Sequence, residues 1–286
     1  MTPVYERMPS SVFPLYRRQF HAFCVGIARS GTVSITDQFP AQYRVAHEPE
    51  SRFLTDKIVA YRRGRITSEK MSQYLRRRDR RMQLEMDSSY LNSEVVEFLA
   101  QAFPEAKFIL TLRDCFSWVD SFTNFFLNRP EFMMSKRHVQ RHMALLFGEP
   151  PYEFSQHDRA LERAGLHPLR RYLRYWRDHN RRVLDVVPDE RLLIVKTNDI
   201  EKSGKRLERF LRLPHNSLRL HIHANSALAR HGLIGQIDPG YVRESIMDCC
   251  GDLMAEFFPE MLNLASDAGD YTELAPPSPR ASGGTL

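Results

Sequence analysis

Gly26-Ile27-Ala28-Arg29-Ser30-Gly31-Thr32 offers the first chemistry in the chain. It follows a short apolar run and precedes a helical pattern, with the spacing G-x-x-x-x-G-T. Glycines so placed let a strand-to-helix turn point its amide N–H groups inward and cradle a phosphate. The loop of nucleoside triphosphatases continues G-K-[ST], its lysine reaching the terminal phosphates. Thr32 stands where that lysine would be, and the loop's cation comes earlier, at Arg29. The competing reading is a structural turn with incidental glycines. A second block, Lys107-Phe-Ile-Leu-Thr-Leu-Arg113, ends a strand-like run in an arginine, with Ser121 eight residues further on. An arginine at a strand's carboxyl end grips phosphate in bidentate fashion, and a serine on the following helix adds a hydroxyl. A structural ion pair for Arg113 and a helix-surface position for Ser121 are the alternatives.

Taken in this order and separation, the two blocks resemble the sulfotransferases that use 3′-phosphoadenosine 5′-phosphosulfate (PAPS). Arg29-Ser30-Gly31-Thr32 is similar to that family's 5′-phosphosulfate loop, and Lys107 to Ser121 to its 3′-phosphate segment. The resemblance runs from Phe20 to Phe126 and continues loosely through Leu192 to Leu211. It implies an enzyme with a P-loop nucleotide-kinase-like fold and PAPS as co-substrate, released as adenosine 3′,5′-bisphosphate. It also implies a nucleotide site made of Arg29, Ser30, Gly31, Thr32, Val33, Ser34, Arg113 and Ser121. Val33 replaces the family's second loop hydroxyl, which Ser34 is expected to supply, and Cys115 stands where proline is common. For the basic segment that closes over the nucleotide in some members, Arg230-His231-Gly232 is the candidate.

Sulfuryl transfer to a hydroxyl needs an acceptor oxygen in line with the departing phosphate, and a group to take its proton. His47-Glu48-Pro49 ends the second strand on the ligand side of the sheet. Branches of the resembled family use a glutamate here, others a histidine. Neighbours on a strand point to opposite faces, so one of the two is expected to face the site: Glu48 first, His47 second. A structural pairing of Glu48 with Arg29 or Arg52 competes with that role. Asp87-Ser88-Ser89 ends the third strand on the same side, where the segment either caps the helix beginning at Tyr90 or brings Asp87 and Ser88 to the acceptor. Asp87 is the third candidate for the base. Arg29 and the loop amides would stabilise charge on the bridging oxygen. His221-x-His223-x-Asn225 presents three polar groups; a metal site is the alternative, but without a carboxylate or fourth ligand the segment reads as a loop near the nucleotide and no metal is expected.

These residues need strands to carry them. Phe20 to Ile27, Tyr43 to Ala46, Met82 to Met86, Lys107 to Leu112 and Leu192 to Val195 read as strands. Ser34 to Phe39, Tyr90 to Phe103, Phe116 to Leu127, Arg137 to Phe147 and Arg159 to Val187 read as helices. The alternation predicts an α/β fold: a mostly parallel central sheet with helices on both faces, and ligands beyond the strands' carboxyl ends. Residues 129–187 are expected to form a helical cap insertion within one domain spanning 1–265, and the Pro- and Gly-rich 266–286 a disordered tail. Trp118, Phe122, Phe125 and Phe126 are expected in the core rather than as a substrate box.

With 286 residues and 42% apolar composition the chain can bury one good-sized core. No run approaches a membrane span. Cys24, Cys115, Cys249 and Cys250 show no zinc or CxxC spacing and suit a reducing, cytoplasmic setting. The net charge of +6 favours an anionic ligand without demanding nucleic acid. The basic run Arg76 to Arg81 reads first as a solvated helix face, and second as a device for steering an anionic substrate. The expected partners are a sulfate acceptor of unread identity and, as an open option, a second copy in a homodimer. Two rival functions stand beside sulfotransfer. One is a phosphotransferase with a variant loop, disfavoured by the missing lysine. The other is a non-catalytic bisphosphate-binding module, which would have no use for Glu48.

Overall fold

The computed structural model describes residues 17–129, 137–219 and 229–262. These fall into two compact units. The first, Met1–Arg113 with Arg137–Gly148 and Asp178–Ala224, is the α/β unit. Its sheet is built from β1 (Ala22–Cys24), β2 (Val45–His47), β3 (Met86–Ser88), β4 (Lys107–Leu112) and β5 (Leu192–Lys196). They lie in the order β2-β3-β1-β4-β5, every pair parallel. β1 and β3 are buried throughout and β4 nearly so, the mark of a parallel sheet covered on both faces.

Alternation along the strands feeds two cores. Phe23, Val25, Phe108 and Leu110 point to one side, where they meet Leu54, Ile58, Met71, Leu75, Leu99 and Val183. Ala22, Cys24 and Ile109 point to the other, against Ile35, Val195, Leu207 and Leu211. The helices supplying these residues include α1 (Thr32–Asp37), α2 (Ser51–Arg62), α3 (Ser68–Met82) and α4 (Val96–Ala102). From β1 the chain moves to β2 and β3 on one side, then crosses β1 to reach β4 and β5 on the other. The β1 loop therefore opens at the reversal of strand order, where such sheets bind ligands.

Several boundaries differ from the sequence expectation. The alternation of Met82 to Met86 does not form a strand: Met82 closes α3, Gln83 caps it at φ 49, and β3 begins at Met86. The buried stripe of α3, Met71, Leu75, Arg78 and Met82, has helical spacing and claims Met82. The expected Arg159 to Val187 helix is two, Arg159–Arg163 and Leu169–Val186, parted at Gly165 with φ 68. Within Asp87-Ser88-Ser89 the cap on Tyr90 to Val95 is Ser89, whose hydroxyl accepts from the Leu91 amide.

The second unit comprises Asp114–Lys136, Glu149–Arg177 and Asn225–Leu286 and is helical in its described residues. It begins with α5 (Cys115–Leu127), capped by Asp114 accepting from the Ser117 amide at 2.8 Å. Trp118 is fully buried against Phe122, Tyr172 and Tyr175, and Phe126 is buried on Phe122. Phe125 is half-buried, with the Arg129 guanidinium over its ring. The cluster thus serves packing, as expected. All four cysteines are free and buried.

Candidate active site

The loop after β1 is fastened from several sides. His179 Nε2 donates to the Val25 carbonyl at 2.8 Å, just before Gly26. A Cβ on Gly26 would lie 1.8 Å from Thr111 Oγ1, so only glycine lets β4 approach so closely. Ser30 is fully buried; its hydroxyl donates to Ile27 O at 2.6 Å and accepts from Thr111 Oγ1 at 2.6 Å. Thr197 Oγ1 donates to Ser30 O at 2.7 Å. Arg29 and Gly31 take the left-handed conformation, at φ 72 and 101. Gly31 opens α1 with no side-chain cap, so the first-turn amides are left for another acceptor. Val33 and Ser34, half-buried, follow in that turn. Thr111 and Thr197 escape a motif search, although Thr111 is the one polar residue in the Phe108 to Leu112 run.

Arg113 leaves the end of β4 and donates through Nη1 to the Arg29 carbonyl at 3.2 Å. The two sequence blocks therefore meet at this bond. Ser121 lies on α5 in the helical unit and is half-buried. Arg230-His231-Gly232 belongs to the same unit, where the His231 amide donates to Asn124 Oδ1 at 2.8 Å. His221, His223 and Asn225 lie outside the described residues. Among the described residues no cluster of three His, Cys, Asp or Glu is arranged for a metal ion.

His47 and Glu48 correct the expectation that they face opposite ways. β2 ends at His47, and Glu48 turns left-handed at φ 49, so the pleat does not continue through both. His47 Nε2 shares a 3.1 Å hydrogen bond with Thr32 Oγ1 and stands 4.0 Å from Glu48 Oε1. The Glu48 amide is pinned to Ser88 O at 2.7 Å, and Ser88 Oγ donates to Thr32 O at 3.4 Å. Thr32, His47, Glu48 and Ser88 thus converge at the head of the loop. Burial pushes the Glu48 carboxyl up to about 7. Burial also lowers the His47 pKa, against the opposing charges of Asp37 and Asp87. A half-protonated carboxyl beside a neutral imidazole is suited to proton transfer near neutral pH. Among the described residues neither Arg29 nor Arg52 forms an ion pair with Glu48.

Asp87 is differently occupied. Its carboxylate is paired with Arg78 and accepts from Asn92 Nδ2 at 3.3 Å. Arg78 is buried, which corrects the reading of Arg76 to Arg81 as a solvated face throughout. Arg76, Arg77 and Arg80 are exposed as expected, while Asp79 is held by Arg18 and His21.

Residues 21–219 match the Sulfotransferase domain family. The chain belongs to that family. No curated relative matches it. A solved sulfotransferase from Alicyclobacillus acidocaldarius is similar to this sulfotransferase at 15% identity, with a TM-score of 0.46, over 87% of this chain and 97% of the other. Both sequence blocks, together with Thr32, His47 and Glu48, fall inside the matched span. No described helix is long and apolar enough to cross a membrane.

Proposed function

We propose that this sulfotransferase moves the sulfuryl group of PAPS to a hydroxyl or amine of a small-molecule, glycan or lipid acceptor, by in-line displacement. The acceptor atom bonds to sulfur as the bond from sulfur to the bridging phosphate oxygen breaks. Glu48 takes the acceptor's proton, and adenosine 3′,5′-bisphosphate leaves. The placement of His47 carries this reading: its Nε2 bonds Thr32 Oγ1 at 3.1 Å and stands 4.0 Å from Glu48 Oε1, so a carboxyl near its neutral-pH midpoint lies one imidazole away from the loop. Arg29 and the amides of Gly31 to Val33 stabilise charge growing on the bridging oxygen. Thr32 and Ser34 position the phosphosulfate. Arg113 and Ser121 hold the 3′-phosphate and select PAPS over ATP. His47 tunes and orients Glu48. With Asp87 committed to Arg78, Ser88 is the better candidate of that pair to approach the acceptor. The four free cysteines support a reducing, cytoplasmic setting.

The test incubates the protein with PAPS and a panel of phenols, alcohols, amines, sugars and lipids, and follows release of adenosine 3′,5′-bisphosphate. Acceptor-dependent release that is lost in Glu48→Gln supports the assignment. Release of equal size from Glu48→Gln removes Glu48 from the chemistry.

A further inference from the structure

Two of three consecutive residues after His47 adopt a backbone that non-glycine residues rarely take: Glu48 at φ 49 and Glu50 at φ 52. Such conformations persist only where the surroundings over-determine them. Here the surroundings are the Ser88 carbonyl, which accepts from the Glu48 amide at 2.7 Å, and one buried arginine with its partners. Arg78 Nη2 donates to the Pro49 carbonyl at 2.7 Å, between the two strained residues. Its Nε stands 3.6 Å from Glu50 Oε2, and its Nη1 is paired with Asp87 on β3. Arg81, one turn on, donates to both oxygens of Glu50. The side chains of Arg78, Glu50 and Asp87 are 3%, 9% and 5% exposed, so the cluster is shielded from water. Burial opposes the charge of Arg78, but Asp87, with Tyr74 and Glu50, outweighs it and leaves the pKa raised. A planar guanidinium has donors in three directions at once; an ammonium at the end of a lysine cannot reach all three partners.

We infer that Arg78 is a positioning residue for sulfuryl transfer: locked to Asp87, it fixes Pro49 and Glu50 and thereby aims the Glu48 carboxyl at the phosphosulfate loop. The inference rests on the reading of Glu48 as the base. It gives Asp87 a definite role, as the anchor of Arg78. The charged and titratable groups around the turn are His47 on β2, Asp37 on α1, Asp87 on β3, and Tyr74, Arg78 and Arg81 on α3. Of these side chains, Arg78 is the one with a described hydrogen bond to the turn's backbone, at the Pro49 carbonyl.

The experiment labels glutamate carboxyls with carbon-13 and follows their titration by NMR, with Glu48 assigned by its loss in Glu48→Gln. Two variants are compared with the unmutated protein. Arg78→Lys keeps the charge and loses the fork. Arg81→Gln, at a side chain 38% exposed, leaves the Arg78–Asp87 pair in place and keeps the test alive if the first variant does not fold. The Glu48 midpoint is expected to fall by about one pH unit or more in Arg78→Lys, as the loosened turn admits water, and by less in Arg81→Gln. Calorimetry should show adenosine 3′,5′-bisphosphate binding within about twofold of the unmutated protein in both, because the loop itself is untouched. A midpoint unmoved in every variant that folds, whatever the loss in melting temperature, makes Arg78 a purely structural residue and overturns the inference. Failure of the underlying reading shows separately, as unimpaired turnover by Glu48→Gln while the midpoints still move.

Discussion

Replacing Glu48 by glutamine should make the protein more stable and less active at the same time. The ordinary glutamate pKa of 4.5 rises to about 7 here, through burial. A carboxyl raised in this way contributes stability that is fully present below its unfolded pKa, and that is lost as pH rises through about 7. The gap from 4.5 to about 7 corresponds to about 3 kcal/mol. The side chain is 34% exposed, so solvent screening reduces the expected effect to about 1–2 kcal/mol. Glutamine carries no charge to bury. Glu48→Gln should therefore melt a few degrees above the unmutated protein at pH 8, with the difference vanishing near pH 4. Its rate should fall by ~10²–10⁴-fold, since the proton acceptor is gone. Thermal unfolding across pH 4 to 8 and steady-state kinetics at pH 8 test the two halves. Equal destabilisation by Glu48→Gln at every pH would refute the idea that this carboxylate is held against its burial cost.

The unmutated enzyme should lose about tenfold in rate between pH 8 and pH 6, as Glu48 takes up its proton; a flat profile would speak against it. Arg29→Ala should lower kcat more than it weakens binding of adenosine 3′,5′-bisphosphate, because stabilisation unique to the transition state acts on rate; a change confined to KM for PAPS makes Arg29 an anchor. His47→Asn should lose less than about tenfold in rate, since it removes a neighbour of the base and not the base; a dead His47→Asn beside an active Glu48→Gln would exchange their roles. Gly26→Ala should cost about 1–3 kcal/mol or more, because the new methyl falls 1.8 Å from Thr111 Oγ1. Denaturant titration reads that loss, and an unchanged midpoint would show that β4 can yield.

The two loops at the strand ends were legible because they follow strands buried on both faces, whose apolar runs stop abruptly at Gly26 and Arg113. The helices α2 and α3 were harder. Their sequences are rich in arginine, and the alternation around Gln83 imitates a strand four residues before β3 begins. The convergence of His47 and Glu48 was hidden, because it depends on a left-handed glutamate and no local residue type announces one. Arg78 left a trace that could have been used. It falls in register with Met71, Leu75 and Met82 on the buried stripe of α3, where a charge needs a partner, and Asp87 supplies it.

The preference for a 3′-phosphorylated adenine nucleotide tests the central claim most directly, because it needs no acceptor. Calorimetry on the unmutated protein compares adenosine 3′,5′-bisphosphate with AMP and ATP, and is repeated on Arg113→Ala. One charge-assisted contact of about 1.5–3 kcal/mol predicts bisphosphate binding at least about tenfold tighter than AMP or ATP, with most of that margin erased in Arg113→Ala. ATP binding as tightly as the bisphosphate, with Arg113→Ala indifferent to the 3′-phosphate, would contradict the account.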